Sequence, residues 1–358
     1  MTGKIRNCNR LLSLSLGPLL SIAFVAAAPA EEFPDVDIVV AGNLGITSQS
    51  QELERPFWTS TIPEKTNGRF NVRFRPWNEM GLDGSEVIRM VRRGTLQAGT
   101  TQMGFGAGDS PLVDGTDLAG LSPDIDTFSR VTEAFTPVLH EHYEHHEDVK
   151  VLGLWSFQAQ VLFCREAMDS LEDLQGRRVR VSGASQADFV EHFGGSGASM
   201  AWGEVQQALQ LGVLDCAITG SVGGYTGNWH EAATHIHPLP INWGSSVMVV
   251  NKDFWESLPE HAQEFLQAEV DALSEDIWQL NREENEWGIA CNTDGPCPAG
   301  DPAGLQLVEI TERELELRRE ALNETVLPNW ADRCGPECAE AWNETVGEIV
   351  ELRVPVNQ

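Results

Sequence analysis

With 358 residues, 41% hydrophobic and 22% charged, the chain can bury one large or two medium cores, which excludes an intrinsically disordered polymer. A formal net charge of −30 excludes nucleic acid and anionic membrane surfaces as partners, because both demand a basic surface. The chain has only four lysines (Lys4, Lys65, Lys150 and Lys252), and a lysine-poor acidic surface suits a salty medium that screens self-repulsion.

The first thirty residues read as a secretory signal. Lys4, Arg6 and Arg10 form a basic start, "LLSLSLGPLLSIAFVAAA" an apolar stretch, and "APA" a small-x-small cleavage site ending at Ala30. An uncleaved anchor is the other reading. Cleavage places the mature chain in the periplasm and, by removing three basic residues, takes its charge from −30 to −33. No later stretch has the ~18 uninterrupted apolar residues of a membrane span.

Alternating and helical hydrophobic periods then trade places along the chain. "VDIVVAGNLG" (36–45) predicts a strand running into a glycine turn, and "NVRFRPW" (71–77) a second strand. Apolar positions 87, 88, 91 and 96 predict a helix over 84–96. Residues 96–108 predict a short strand and a glycine loop, followed by a helix to about Glu147. "VKVLGLWSFQAQVLF" (149–163) and "NWGSSVMVVN" (242–251) predict two unusually long strands. Between them lie helices at 184–194 and 202–212 and a strand at 213–220. Apolar residues from 262 to 287 at helical spacing predict one sustained helix over 259–287.

Strands alternating with helices imply an α/β fold with mainly parallel pairing. The two long strands suggest a chain that leaves one lobe, builds a second and returns, with a ligand cleft between strand-end loops. The expected division is a signal over 1–30, lobe I over 31–152 plus 246–290, lobe II over 153–245, and a cysteine-containing helical extension over 291–358.

After loss of Cys8 with the signal, six cysteines remain: Cys164, Cys216, Cys291, Cys297, Cys334 and Cys338. An even number in an exported protein favours disulfides over zinc, with connectivity open. "NETV" occurs at 323–326 and 343–346 and reads as helix surface. His142 and His146 in "HEHYEHHE" are one helical turn apart, a workable metal pair or a solvated helix end. "GFGAGDS" (104–110) lacks nucleotide-binding spacing and reads as a cleft loop in which Phe105 could stack on a ligand. No Ser-His-Asp, Cys-His or CxxC set stands out, and no cofactor is expected.

The segment richest in chemistry is "GRRVRVSGAS" (176–185). In a strand, Val179 and Val181 point to one face, Arg178 and Arg180 to the other. Arg180 sits at the carboxyl end, and the small residues after it lead into a helix start. A guanidinium beside free helix N–H groups is an anion site, and its planar donors match a carboxylate better than lysine does. Simple solvation of both arginines on an edge strand is the bland reading.

The stretch 171–220 resembles the second domain of TRAP-transporter solute-binding proteins. Asp173-Leu174, Gly176, Arg180, Gly203-Glu204-Val205, Ala208-Leu209, Gly212 and Asp215 fall in register with that family's pattern. "GSEVIRMVRRGTLQAG" and "VNKDFWESLPEHAQEFL" extend the resemblance over most of 36–290. It implies a two-lobed periplasmic binding fold of type II-like form, with a long C-terminal helix spanning the lobes. It also implies capture of a small organic anion and delivery to TRAP membrane permease subunits, without catalysis; the chain is expected to be a monomer. By resemblance, Arg180 pairs with the ligand carboxylate and Trp202 lies against the ligand. Thr219 stands where many members carry an asparagine, which argues against a C4-dicarboxylate and for a monocarboxylate or bulkier acid. Asn43, Gln158 (or Gln160) and Trp243 are weaker candidates, with Asn242 and Tyr225 able to shape the same wall. An exported metal-assisted hydrolase using 140–147, and a sensor on the same fold, are the alternatives.

Overall fold

The computed structural model describes residues 2–3 and 32–356, so the expected signal and its cleavage site lie outside the described residues. Two sheets organise the chain. The first has the order β2-β1-β3-β10-β4, from β1 (Val36–Gly42), β2 (Phe70–Pro76), β3 (Ala98–Gln102), β4 (Val149–Trp155) and β10 (Ser246–Asn251). The second has the order β11-β9-β5-β8-β6-β7. Its strands are β5 (Gln160–Cys164), β6 (Arg178–Val181), β7 (Ser196–Ser199), β8 (Cys216–Gly220), β9 (His235–Asn242) and β11 (Gln306–Leu307). Helices pack on both sheets, so the molecule is a two-lobed α/β protein, and from Phe33 onward it forms one compact unit.

Two expectations change. The run 149–163 is two strands in different sheets, β4 and β5, joined by a short crossing at 156–159. The run 242–251 likewise starts at the end of β9 and crosses into β10. The crossings are short, and most of their residues, Ser156, Gln158 and Ser245 included, are buried, so no exposed loop marks where the chain changes sheet. Pairing is also mixed, with nearly as many antiparallel pairs as parallel ones. β1–β2, β1–β3, β6–β7, β6–β8 and β9–β11 are parallel, whereas β10 runs antiparallel to β3 and β4, and β5 antiparallel to β8 and β9. The antiparallel pairs all involve strands next to the crossings.

The helical period at 259–287 becomes one helix, Glu260–Asn292, 33 residues long. Its Leu266, Val270, Leu273 and Ile277 pack on Ile38, Val40, Met248 and Val250 of the first sheet. Burying each such side chain stabilises by roughly 1.5–3 kcal/mol. Further on, Gly288 lets the helix lie against the Ser221–Thr226 helix of the other lobe; a Cβ there would stand 2.4 Å from Ser221 Oγ. Asn292 Nδ2 donates to Ser221 O at 2.7 Å. One helix therefore backs both lobes.

The six cysteines pair as Cys164–Cys216, Cys291–Cys297 and Cys334–Cys338. Cys164 and Cys216 stand directly opposite each other on β5 and β8. Beyond the long helix, Trp330 and Trp342 donate their indole N–H groups to Pro111 O and Gly115 O, and Asn329 and Arg333 hold Asp188. The C-terminal helices thus brace both the loop after β3 and the second lobe.

Candidate functional site

β6 lies between β8 and β7, inside the sheet rather than at its edge. Arg178 and Arg180 share a face but not a fate. Arg178 is exposed, whereas Arg180 is only 5% exposed. Its Nε donates to Met200 O at 3.1 Å and its Nη1 to Ile218 O at 2.7 Å. Nη2 has no hydrogen-bond partner among the described residues and is not sealed from solvent. No carboxylate of the described residues pairs with Arg180; burial alone pushes its pKa down to about 10. The group stays cationic at neutral pH. A buried cation without a counter-charge is costly, and two carbonyls relieve only part of that cost.

The residues around this guanidinium come from three adjoining elements. Met200 leads into the turn Trp202–Glu204, where the half-buried Trp202 ring stacks on Trp229 at 6.2 Å. Ile218 precedes Thr219 on β8, whose hydroxyl makes no hydrogen bond among the described residues. Thr219 Oγ1 and Trp202 Nε1 converge on Gly223, 3.4 and 3.8 Å from where its Cβ would be. Arg180, Thr219 and Trp202 therefore form one neighbourhood, with an unused guanidinium edge, an unused hydroxyl and an aromatic wall.

The other candidates are placed differently. Gln158 spends its amide on structure: Nε2 donates to Glu284 Oε2 at 2.6 Å, and Oε1 accepts from Gly223 N at 2.9 Å. Gln160 Nε2 donates to Gln158 O. Asn43, at the end of β1, is fully buried, with Nδ2 unpartnered among the described residues. Phe105 packs edge-on to Trp77 and under Gly84. Trp243 is stacked on Phe128 with its indole N–H on Ser122 O, and Tyr225 donates to Asp301 O. Asn242 bonds Asp117 and Gln186.

The helix start after β6 borders a small cavity of its own. Ser182, Gly183, Ser185 and Gln186 line a cavity of about 30 Å³ together with Asp114 and Asp117, and Arg180 is not in its wall. Ser182 N is already bonded to Gln186 Oε1.

Sequence reasoning missed several buried acids. Glu54 accepts from Asn43 N and Gln49 Nε2, yet burial pushes it up to about 7. Glu284 joins Ser48 and Gln158 and is also raised, chiefly by burial. Asp114 is pushed up to about 7 by burial and by Asp117. Burial pushes Asp117 to about 6 against the pull of four hydrogen bonds. Nothing local in the sequence separates these acids from surface ones, because burial is decided by packing, and the partners of Asp117 and Glu284 lie more than a hundred residues away.

His142 and His146 stack at 5.2 Å, and His142 Nε2 meets Ser110 Oγ at 3.1 Å. Burial, then His146, brings His142 down to about 4. Rather than a solvated helix end, His142 is part of the wall of a separate cavity of about 310 Å³ that also includes Arg89, Arg92 and Tyr143. Among the described residues, no group of three or more His, Cys, Asp or Glu side chains is placed to hold a metal ion.

Residues 46–330 match the family model described as bacterial extracellular solute-binding protein, family 7. The chain belongs to this family, the TRAP solute-binding proteins. Family 7 consists of transport solute-binding proteins, not enzymes, which sets the hydrolase reading aside. The chain is 24% identical over 211 residues to the ectoine-binding periplasmic protein TeaA of Halomonas elongata, covering 58% of this chain and 61% of that protein. It is 23% identical over 290 residues to the C4-dicarboxylate-binding periplasmic protein DctP of Rhodobacter capsulatus, covering 79% and 83%. A TRAP periplasmic solute-binding protein of Desulfovibrio salexigens, solved with bound orotic acid, superposes with a TM-score of 0.77 at 17% identity, covering 88% of this chain and 99% of that one. As a family 7 member the protein is extracytoplasmic, and among the described residues no helix is long and apolar enough to cross a membrane.

Proposed function

We propose that this protein captures a small organic carboxylate between its two lobes and delivers it to TRAP permease subunits, with Arg180 as the ligand's counter-ion. The observation that carries this reading is the buried guanidinium with no carboxylate partner among the described residues and an unused Nη2. Planar N–H donors suit the two oxygens of a carboxylate, and low local polarity beside Trp202 strengthens the pair. Orotic acid and C4-dicarboxylates in the matched proteins support the ligand class. Thr219 offers a hydroxyl where an amide would reach further, which favours a monocarboxylate or a bulkier acid over a C4-dicarboxylate. Lobe I over 31–152 and 246–290, and lobe II over 153–245, are the bodies that close on it.

A thermal-shift screen of mono- and dicarboxylates, orotate and succinate included, finds the ligand by a raised melting temperature. Titration calorimetry then compares Arg180→Ala with Arg178→Ala. Two charge-assisted hydrogen bonds at roughly 1.5–3 kcal/mol each predict a loss of on the order of 100-fold or more for the first. The second leaves affinity within about twofold. Equal affinities, or no carboxylate that stabilises the protein, contradict the proposal.

A further inference from the structure

The loop from β3 to the Ile125–His145 helix reaches across to the second crossing between the sheets, and one side chain does the joining. The Asp117 carboxylate accepts from Trp243 N at 2.7 Å, Gly244 N at 2.7 Å, Ser245 N at 3.1 Å and Asn242 Nδ2 at 2.9 Å. Three consecutive backbone N–H groups converging on one anion form a nest, and Gly244 adopts φ +67°, a left-handed conformation that glycine tolerates. These residues are where the chain leaves β9 and enters β10. The same loop is stitched in on either side, by Gly120 N to Ile241 O and Met103 N to Ser245 O.

The network continues toward the arginine. Asn242 Oδ1 accepts from Gln186 Nε2 at 2.8 Å. Gln186 Oε1 accepts from both Ser182 N at 2.8 Å and Ser182 Oγ at 3.1 Å. Ser182 is two residues beyond Arg180. Each amide in the series has its orientation set by the one before: Asp117 can only accept, so Asn242 must donate to it and offer Oδ1 to Gln186, which then offers Oε1 to Ser182.

We propose that Asp117 is a positioning residue that locks the β9–β10 crossing and, through Asn242 and Gln186, holds the Ser182 turn that orients Arg180. The role given to Arg180 rests on the proposed function. The network itself does not, and it is read without any ligand.

The experiment is amide hydrogen exchange of the whole ligand-free protein, with the Nε–H resonance of Arg180 recorded beside it and assigned by its loss in Arg180→Lys. In Asp117→Asn, an amide N–H replaces one acceptor in the nest, so exchange at 243–245 rises about tenfold. Ser182, more than sixty residues away in the chain, rises with it, and the Arg180 resonance moves. In Gln186→Leu, Ser182 exchanges faster and the Arg180 resonance moves while 243–245 stay protected. The double variant exchanges at Ser182 no faster than Gln186→Leu alone, because both changes cut one line. If Asp117→Asn does not fold, Asn242→Leu removes the middle of the line and carries the same expectation at Ser182. Deprotection of 243–245 with Ser182 and Arg180 unchanged, or additive effects in the double variant, overturns the proposal. Loss of carboxylate binding in the wild type would remove the ligand reading and leave this result standing.

Discussion

Arg178 and Arg180 have the same side chain, lie on the same strand and project from the same face, yet only one is buried. The difference comes from what stands over them: Met200 O and Ile218 O reach Arg180, while Arg178 is left at the open end. A second residue-scale constraint sits at Gly227, where a Cβ would come 2.5 Å from Trp202 Cζ2. Gly227→Ala therefore pushes the indole off Trp229 and out of the Arg180 neighbourhood. The expected outcome is roughly a tenfold loss of ligand affinity with a smaller change in melting temperature, together with a shifted tryptophan emission, measured by calorimetry and fluorescence. Unchanged affinity would mean that Trp202 is only packing. Arg180 was legible from alternation and from the family pattern around it. Asp117 was not, since its bonds reach 125 to 128 residues along the chain to a crossing that reads as strand.

At the scale of elements, the second sheet is covalently stapled where the first is not. Cys164–Cys216 closes a sequence separation of 52 residues, against 6 and 4 for the other two bridges. By loop entropy, the long bridge contributes about 4 kcal/mol and the short ones about 2 kcal/mol each at most. Denaturant unfolding of Cys164→Ala/Cys216→Ala should thus lose more stability than Cys334→Ala/Cys338→Ala, and the reverse order contradicts the argument. The long helix was readable because its apolar period persists over its buried face. The sheet changes at 156–159 and 243–245 were not, because each crossing is only three or four residues long and its polar residues, Ser156, Gln158 and Ser245, are buried as in a strand. Pairing direction followed the same limit: periodicity marks a strand but not its neighbours.

Across the whole molecule, the acidic composition extends inward. Glu54 and Asp114 are pushed up to about 7 and Asp117 to about 6, burial being the largest cause for each. Folded-state values above the unfolded ones mean that the native protein holds protons that the unfolded chain has released. Stability therefore rises as pH falls from about 8 to 6.5, by up to about 1.4 kcal/mol per pH unit for each group. Below about 6.5, His140 and His142 oppose it, since burial lowers both and the unfolded chain takes up their protons first. Chemical denaturation across this range should show the rise, and Asp114→Asn should flatten it while surface carboxamide variants do not. An unchanged slope in Asp114→Asn would mean that Asp114 is ionised in the fold.

The amino-acid sequence alone determined the alternation of strands and helices, the two-lobed α/β class, the long helix, and the strand that ends in Arg180. Each of these is written in local spacing of apolar and charged residues, which backbone geometry converts directly into elements. Only the tertiary structure decided that Arg180 is buried without a carboxylate beside it, that the following helix start shares a cavity with Asp114 and Asp117, and that one aspartate binds the crossing between the sheets. Those outcomes depend on which remote carbonyls, amides and acids meet after packing, and burial sets the strength of the charges once they do.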